Sequence, residues 1–216
     1  MKTIIFANGT ISNLAQTSAL TRNCDMIIAA DAGARHCLAI SILPQVVIGD
    51  FDSLTPAELD KLQELGVRLI RYPARKDFTD LELALKYACE QGADQITILG
   101  GLGQRWDQTL ANILLLAGSF AQRARVSYID GSQEIMLIGE SQILEIRGQP
   151  GDTVSLVPIQ GNAQGITTCG LEYPLDDDTL EFGTARGVSN VLIGKQATIQ
   201  LKHGFLICIL IRQEIV

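Results

Sequence analysis

The chain has 216 residues, 47% of them hydrophobic, and 17 Lys plus Arg against 24 Asp plus Glu leave a formal net charge of -7. That length suits one large domain or two small ones, and the apolar share excludes a disordered chain. The acidic balance argues against nucleic acid as a main partner, because such binding neutralises phosphates with basic side chains. A nucleotide substrate stays open, since a negative surface can recruit divalent cations that carry phosphates. The apolar run Ile4-Ile5-Phe6-Ala7 ends at Asn8-Gly9, too short for a signal peptide. Ile113 to Ala117 and Phe205 to Ile211 fall short of the roughly 20 residues that span a bilayer, so no membrane partner is expected. The 5 cysteines (Cys24, Cys37, Cys89, Cys169 and Cys208) form no CxxC pair and suggest neither a zinc knuckle nor a disulfide framework. A reducing, cytoplasmic setting is the expectation.

In chain order, short β-branched runs alternate with helical patterns. Thr3 to Ala7, Met26 to Ala30, Val46 to Gly49, Val67 to Tyr72, Gln95 to Leu99 and Arg125 to Ile129 read as strands. Several are apolar on both faces, as in a parallel sheet covered on each side. Thr55-Pro56-Ala57-Glu58 is a capping box with proline at the first helical position, and Gly66 follows as a stop. Thr79-Asp80-Leu81-Glu82 is a second box, opening a helix with the apolar stripe Leu81, Ala84, Leu85 and Ala88. The alternation predicts an α/β fold with an open, mainly parallel sheet and helices on both faces.

From about Gln133 the helical period disappears. Ile135 to Ile138, Ile143 to Ile146, Thr153 to Val157, Gly165 to Thr168, Thr179 to Phe182, Ala197 to Leu201 and Phe205 to Ile211 read as short strands separated by glycine and proline turns. An all-β, sandwich-like domain is expected here. Two domains follow, 1–132 and 133–216, with net charges of -2 and -5.

Open α/β sheets bind ligands beyond the carboxyl ends of their strands. Those ends carry Asp31, then Asp50 and Asp52, then Asp77 and Asp80, then Asp107. So many carboxylates at one edge call for a cation. With almost no His or Cys nearby, the cation is a hard one, Mg2+ first. Arg75, Lys76 and Arg105 interleave with the acids and suit phosphate oxygens, Arg as a fork and Lys as a point charge. Gly100, Gly101 and Gly103 let backbone approach an anion closely. Each signal alone has a plainer reading: Asp80 or Asp107 as a helix cap, Asp52-Ser53 as a turn, Arg75-Lys76 as a solvated loop. There is no dinucleotide fingerprint, since Trp106 stands where its third glycine belongs, and no Walker A motif or nucleophile elbow. His36 and His203 read as structural or exposed.

The motifs resemble the thiamine pyrophosphokinase family. The stretches that carry the likeness are Ala30-Asp31-Ala32-Gly33-Ala34, Ile48-Gly49-Asp50-Phe51-Asp52-Ser53, Lys76-Asp77-Phe78-Thr79-Asp80-Leu81-Glu82 and Gly100-Gly101 through Arg105-Trp106-Asp107 with Asn112. In the second half they are Val154-Ser155-Leu156-Val157-Pro158, Gly165, Gly170-Leu171-Glu172-Tyr173-Pro174-Leu175 and Gly187-Val188-Ser189-Asn190. The resemblance implies transfer of the diphosphoryl group of ATP to the hydroxyl of thiamine, giving thiamine diphosphate and AMP. It also implies an α/β catalytic domain followed by a β-sandwich thiamine-binding domain, and a homodimer with the active site at the subunit interface.

Carried over to these positions, Asp50, Asp52, Asp77 and Asp80 fall at the Mg2+ and phosphate end. Arg105 and Asp107 fall at the triphosphate and hydroxyl end, with Asp77 or Asp107 as the base. The binding set is Asp31, Gly33, Ser53, Arg75, Lys76, Thr79 and Gly101, with Ser189 and Asn190 in the thiamine pocket. Ala32, Gln108 and Val191 depart from the family's usual residues, and no aromatic directly follows Asn190. The alternatives are a diphosphokinase for another primary alcohol such as a hydroxymethylpterin, a metal-dependent nucleotide pyrophosphatase, and a non-catalytic nucleotide- or thiamine-binding module.

Overall fold

Side chains of neighbouring strand residues point to opposite faces, so a strand buried at every position is covered on both sides. In the computed structural model, which describes residues 1–213, β2 (Met26–Ala30) and β3 (Val46–Gly49) are of this kind, buried at all but the first position of β2. With β1 (Lys2–Phe6), β4 (Arg68–Arg71), β5 (Gln95–Leu99) and β6 (Arg125–Asp130) they make a parallel sheet of order β4-β3-β2-β1-β5-β6. This sheet belongs to the first of two units, Met1–Gly131 and Ser132–Val216. The order changes direction between β1 and β5, the switch point where such sheets open a crevice at their carboxyl ends. There the loop after β1 meets the glycine loop after β5, with Gly9 N donating to Gly100 O at 2.7 Å.

The helices are α1 (Leu14–Thr21), α2 (Ala34–Ala39), α3 (Pro56–Glu64), α4 (Asp80–Glu90) and α5 (Trp106–Leu115). One face of the sheet, with Ile4, Phe6, Ile27, Ala29 and Val47, packs into a core with Ala34 and Cys37 of α2 and Leu62 of α3. Ile5, Ile28 and Ile48 point the other way and are fully buried, and α4 lies against β1, β2 and β3. Both capping boxes form: Thr55 with Glu58 at α3, and Thr79 with Glu82 at α4. Both buried thiols, Cys37 and Cys208, are pushed up to about 12 by desolvation and stay unreactive.

Glu58 does more than close a box. Its carboxylate also accepts Arg35 Nε at 2.6 Å and Nη2 at 2.9 Å. Arg35, with help from the Thr55 hydrogen bonds, lowers it from 4.5 to about 2. A depressed carboxyl stabilises the fold above its unfolded value and loses that contribution as pH falls toward the folded one. The melting-temperature advantage of wild type over Glu58→Gln should therefore be constant above pH 4.5 and vanish as the pH drops to about 2. An advantage that persists undiminished at that lower pH would rule the linkage out.

The second unit is all β: β7 (Gln133–Ile138), β8 (Gln142–Arg147), β9 (Thr153–Cys169), β10 (Asp178–Leu180), β11 (Asn190–Val191), β12 (Gln196–Leu201) and β13 (His203–Ile211). The antiparallel order is β7-β13-β9-β12-β8, with β10 and β11 also on β9. The two strands expected at Thr153 to Val157 and Gly165 to Thr168 are one strand of 17 residues. Gln160 at φ 61° and Gly161 at φ 119° bend it without ending it, and its register against β13 shifts between His203 and Phe205. Its first half pairs with β13 and its last residues with β12, so both ladders close over one core that includes Val154, Leu156, Ile166, Ile199, Leu206 and Cys208. Among the described residues no helix is long and apolar enough to cross a membrane.

Candidate functional site

Three carboxylates from three separate stretches converge at the carboxyl end of the parallel sheet. Asp31 follows β2 and opens a 3-10 turn, Asp31–Gly33, with φ at 47°. Asp50 follows Gly49 at the end of β3. Asp80 is the first residue of α4, where the Thr79 box fixes the helix start and unpaired N–H groups favour a negative charge. Asp31, Asp50 and Asp80 each offer an oxygen within 4.8 Å of the others. Gly49 keeps the space between them open: a Cβ there would lie 3.1 Å from Asp31 Cβ and 3.3 Å from Asp80 Cγ.

The electrostatics mark this as an unbalanced site. Asp31 is 5% exposed, and its Oδ1 is buried with no hydrogen-bond partner, a costly arrangement for an anionic oxygen. Burial raises the Asp80 carboxyl, with the charges of Asp50 and Asp31 adding to the rise, although the Lys76 ammonium opposes it. Lys76 Nζ donates to Asp80 Oδ1 at 2.6 Å and lies 3.7 Å from Asp50 Oδ2. One lysine against three carboxylates leaves the cluster short of positive charge. An all-oxygen donor set with an orphaned buried oxygen fits a hard divalent cation.

The other expected site residues occupy different settings. Asp52 does not join the cluster; its Oδ1 accepts Ser53 Oγ at 2.9 Å, the turn reading of that pair. Arg75 and Asp77 are exposed on the loop before Thr79. Arg105 grips Asp107 as a fork, Nε to Oδ1 at 3.0 Å and Nη2 to Oδ2 at 2.6 Å. That guanidinium pulls the Asp107 carboxyl down to about 2, so it is ionised at neutral pH and, while paired, a weak proton acceptor. Gly33 is required by packing, since a Cβ there would overlap the Phe6 carbonyl; Gly101 lies against the Tyr128 ring, 2.5 Å from where its Cβ would be.

In the second unit, Ser189 sits at φ 64° and donates its N–H to Ser155 Oγ at 3.0 Å. Asn190 holds Tyr173 by both backbone groups, accepting its N–H at 3.0 Å and donating to its carbonyl at 2.7 Å. The aromatic beside Asn190 is thus Tyr173, from a distant stretch of sequence and 64% exposed.

Two arginines that the motifs do not single out hold the loop around Asp50. Arg71 Nη1 donates to Asp50 O at 2.9 Å, and Arg35 Nη2 to Ser53 O at 2.7 Å. Their only sequence signal is position: Arg71 ends β4, and Arg35 lies just past the Asp31 turn.

The fold and the acid cluster place the chain among open α/β proteins that work at the carboxyl ends of their strands, here joined to a β unit. Residues 17–128 match the family model for the thiamin pyrophosphokinase catalytic domain, and residues 141–206 match the one for the thiamin pyrophosphokinase vitamin B1 binding domain. Among curated relatives, thiamine pyrophosphokinase of Bacillus subtilis is 31% identical over 97% of this chain and 98% of its own. The crystal structure of the Bacillus subtilis thiamine pyrophosphokinase superposes with a TM-score of 0.86 at 27% identity, covering 99% of this chain and 100% of that one. A family protein from Enterococcus faecalis gives 0.83 at 25% identity, with the same coverage of both chains. The chain belongs to the thiamin pyrophosphokinase family.

Proposed function

We propose that the chain transfers the diphosphoryl group of ATP to the hydroxyl of thiamine, forming thiamine diphosphate and AMP. The observation that carries this reading is the convergence of Asp31, Asp50 and Asp80 around a buried, unpartnered carboxylate oxygen. It lies within the stretch that matches the catalytic-domain model.

Asp31, Asp50 and Asp80 would hold Mg2+, and the ion when bound neutralises polyphosphate oxygens. The rest is done by side chains. Lys76, already at the cluster's edge, offers a point charge to phosphate; Arg75 lies exposed on its loop, and Arg105, once it leaves its fork on Asp107, can fork onto phosphate instead. The thiamine oxygen forms a bond to the β-phosphorus while the bond from that phosphorus to the α-phosphate oxygen breaks, and AMP leaves. The hydroxyl proton needs an acceptor. Asp107 serves only if Arg105 turns from it to the triphosphate; Asp77, exposed on the neighbouring loop, is the other candidate. Asp52, Ser53, Thr79, Gly33 and Gly101 shape the loops that approach the nucleotide. Ser189 and Asn190 contribute to the thiamine pocket.

A homodimer with the active site at the subunit interface, in the cytoplasm, is part of the proposal. The dimer is supported by the outer face of α5, where Trp106, Leu110 and Leu114 are 74%, 59% and 54% exposed at i, i+4 spacing. A monomer mass by sedimentation equilibrium would remove that part.

The activity is tested by following AMP from ATP, with and without thiamine and Mg2+. The expected result is AMP only when both are present. Release of AMP without an acceptor would make this a nucleotide pyrophosphatase. A hydroxymethylpterin replacing thiamine would change the substrate, and MgATP binding without any turnover would leave a binding module.

A further inference from the structure

We infer that Arg71, at the end of the edge strand β4, is a positioning residue for the cation site and acts through Asp50. The inference rests on the reading that Asp31, Asp50 and Asp80 hold a divalent ion. Arg71 reaches the loop after β3 in two ways. Its Nη1 donates to the Asp50 carbonyl at 2.9 Å, and its guanidinium carbon lies 4.8 Å from the centroid of the Phe51 ring. Phe51 is buried with φ at 65°, a left-handed conformation that a bulky residue keeps only when its surroundings hold it.

The Asp50 carboxylate leaves the backbone between two fixed points. On one side Tyr72 N donates to Gly49 O at 2.8 Å; on the other stands the carbonyl that Arg71 grips. Among the described residues Arg71 makes no ion pair with a carboxylate and no hydrogen bond to Asp31 or Asp80; it orders the ligand-bearing backbone instead. Its charge and its grip have opposite consequences. As a nearby cation it would repel a metal ion, so removing it on charge grounds alone tightens binding. As a clamp it keeps Asp50 aimed at the cluster, so removing it loosens binding. Partners that orient metal ligands are typically worth about 10- to 100-fold in affinity.

The test is Mn2+ titration of the full chain, read by the electron paramagnetic resonance signal of the free ion, for wild type, Arg71→Ala and Arg71→Gln. The thiamine KM is measured alongside. The expected result is a dissociation constant raised about 10-fold or more in Arg71→Ala. Arg71→Gln, which keeps an N–H donor without the charge, should fall between, and the thiamine KM should stay within about twofold. Unchanged or tightened Mn2+ affinity in either variant overturns the proposal, and Arg71→Gln alone decides it if Arg71→Ala does not fold. If wild type itself fails to bind Mn2+, the site reading falls and this inference with it. Wild-type binding with unaltered variants removes only the role of Arg71.

Discussion

Asp31→Asn should lower AMP formation about 1000-fold while making the protein more stable in the presence of a chelator. The two effects share one cause. Asp31 is almost fully buried, its Oδ1 has no partner, and two further carboxylates lie within 4.8 Å. Without a cation, that arrangement costs stability, since an unsatisfied buried polar group carries about 1–3 kcal/mol. Asparagine keeps the shape, tolerates the φ of 47° better than other non-glycine residues, and brings N–H donors for the neighbouring carboxylates. A gain of about 1 kcal/mol, or about 2–4 °C in Tm, is expected in chelator. On the proposed reading the same change removes an anionic ligand of the cation, and a 1000-fold rate loss corresponds to about 4 kcal/mol of transition-state stabilisation. Thermal melts in chelator and in Mg2+, together with the AMP assay, read all of this. A variant that melts lower in chelator, or turns over normally, would contradict it.

The second large effect is structural. Gly33→Ala should cost about 3 kcal/mol, because the new methyl would fall on the Phe6 carbonyl in the middle of the β1–α2 contact. Backbone cannot yield there as a flexible side chain could. Phe6 is itself fully buried and sits in register with Ala29 and Leu99 on either side. Separating α2 from β1 would also disturb the short turn that begins at Asp31, so activity should fall beyond what the loss of folded protein explains. Urea denaturation with native circular dichroism as baseline measures the first part, and kcat per folded molecule the second. Wild-type stability in Gly33→Ala would show that the contact has slack.

The central strands of the first unit were legible because burial on both faces writes itself as unbroken apolar runs, as in Met26 to Ala30 and Val46 to Gly49. The starts of α3 and α4 were legible because Thr55 and Thr79 cap by a local rule. The β9 strand was not, since Pro158, Gly161 and Gly165 look like strand ends when read alone. Only pairing with β13 and β12 shows that the chain continues through them. Strand β11 has just two residues, Asn190–Val191, too few for any alternation.

The acids were picked out as a set, yet which of them meet depends on geometry that spacing does not encode. Asp31 joins Asp50 and Asp80 because its backbone enters the left-handed region. Asp52, adjacent in the motif, bonds Ser53 instead. Arg71 and Tyr173 act across strands or loops, through partners far off in sequence.

The path of β9 has a mechanical consequence. A strand hydrogen-bonded into both ladders ties them into a single cooperative unit, so neither can fray while the other remains folded. Amide protons of Val157, in register with Ile207 of β13, and of Thr167, in register with Gln200 of β12, should then exchange with deuterium through the same opening event and respond equally to denaturant. The loop bearing Ser189 donates to Ser155, on the same strand. Its geometry is therefore protected by the endurance of the whole β unit rather than by local contacts alone.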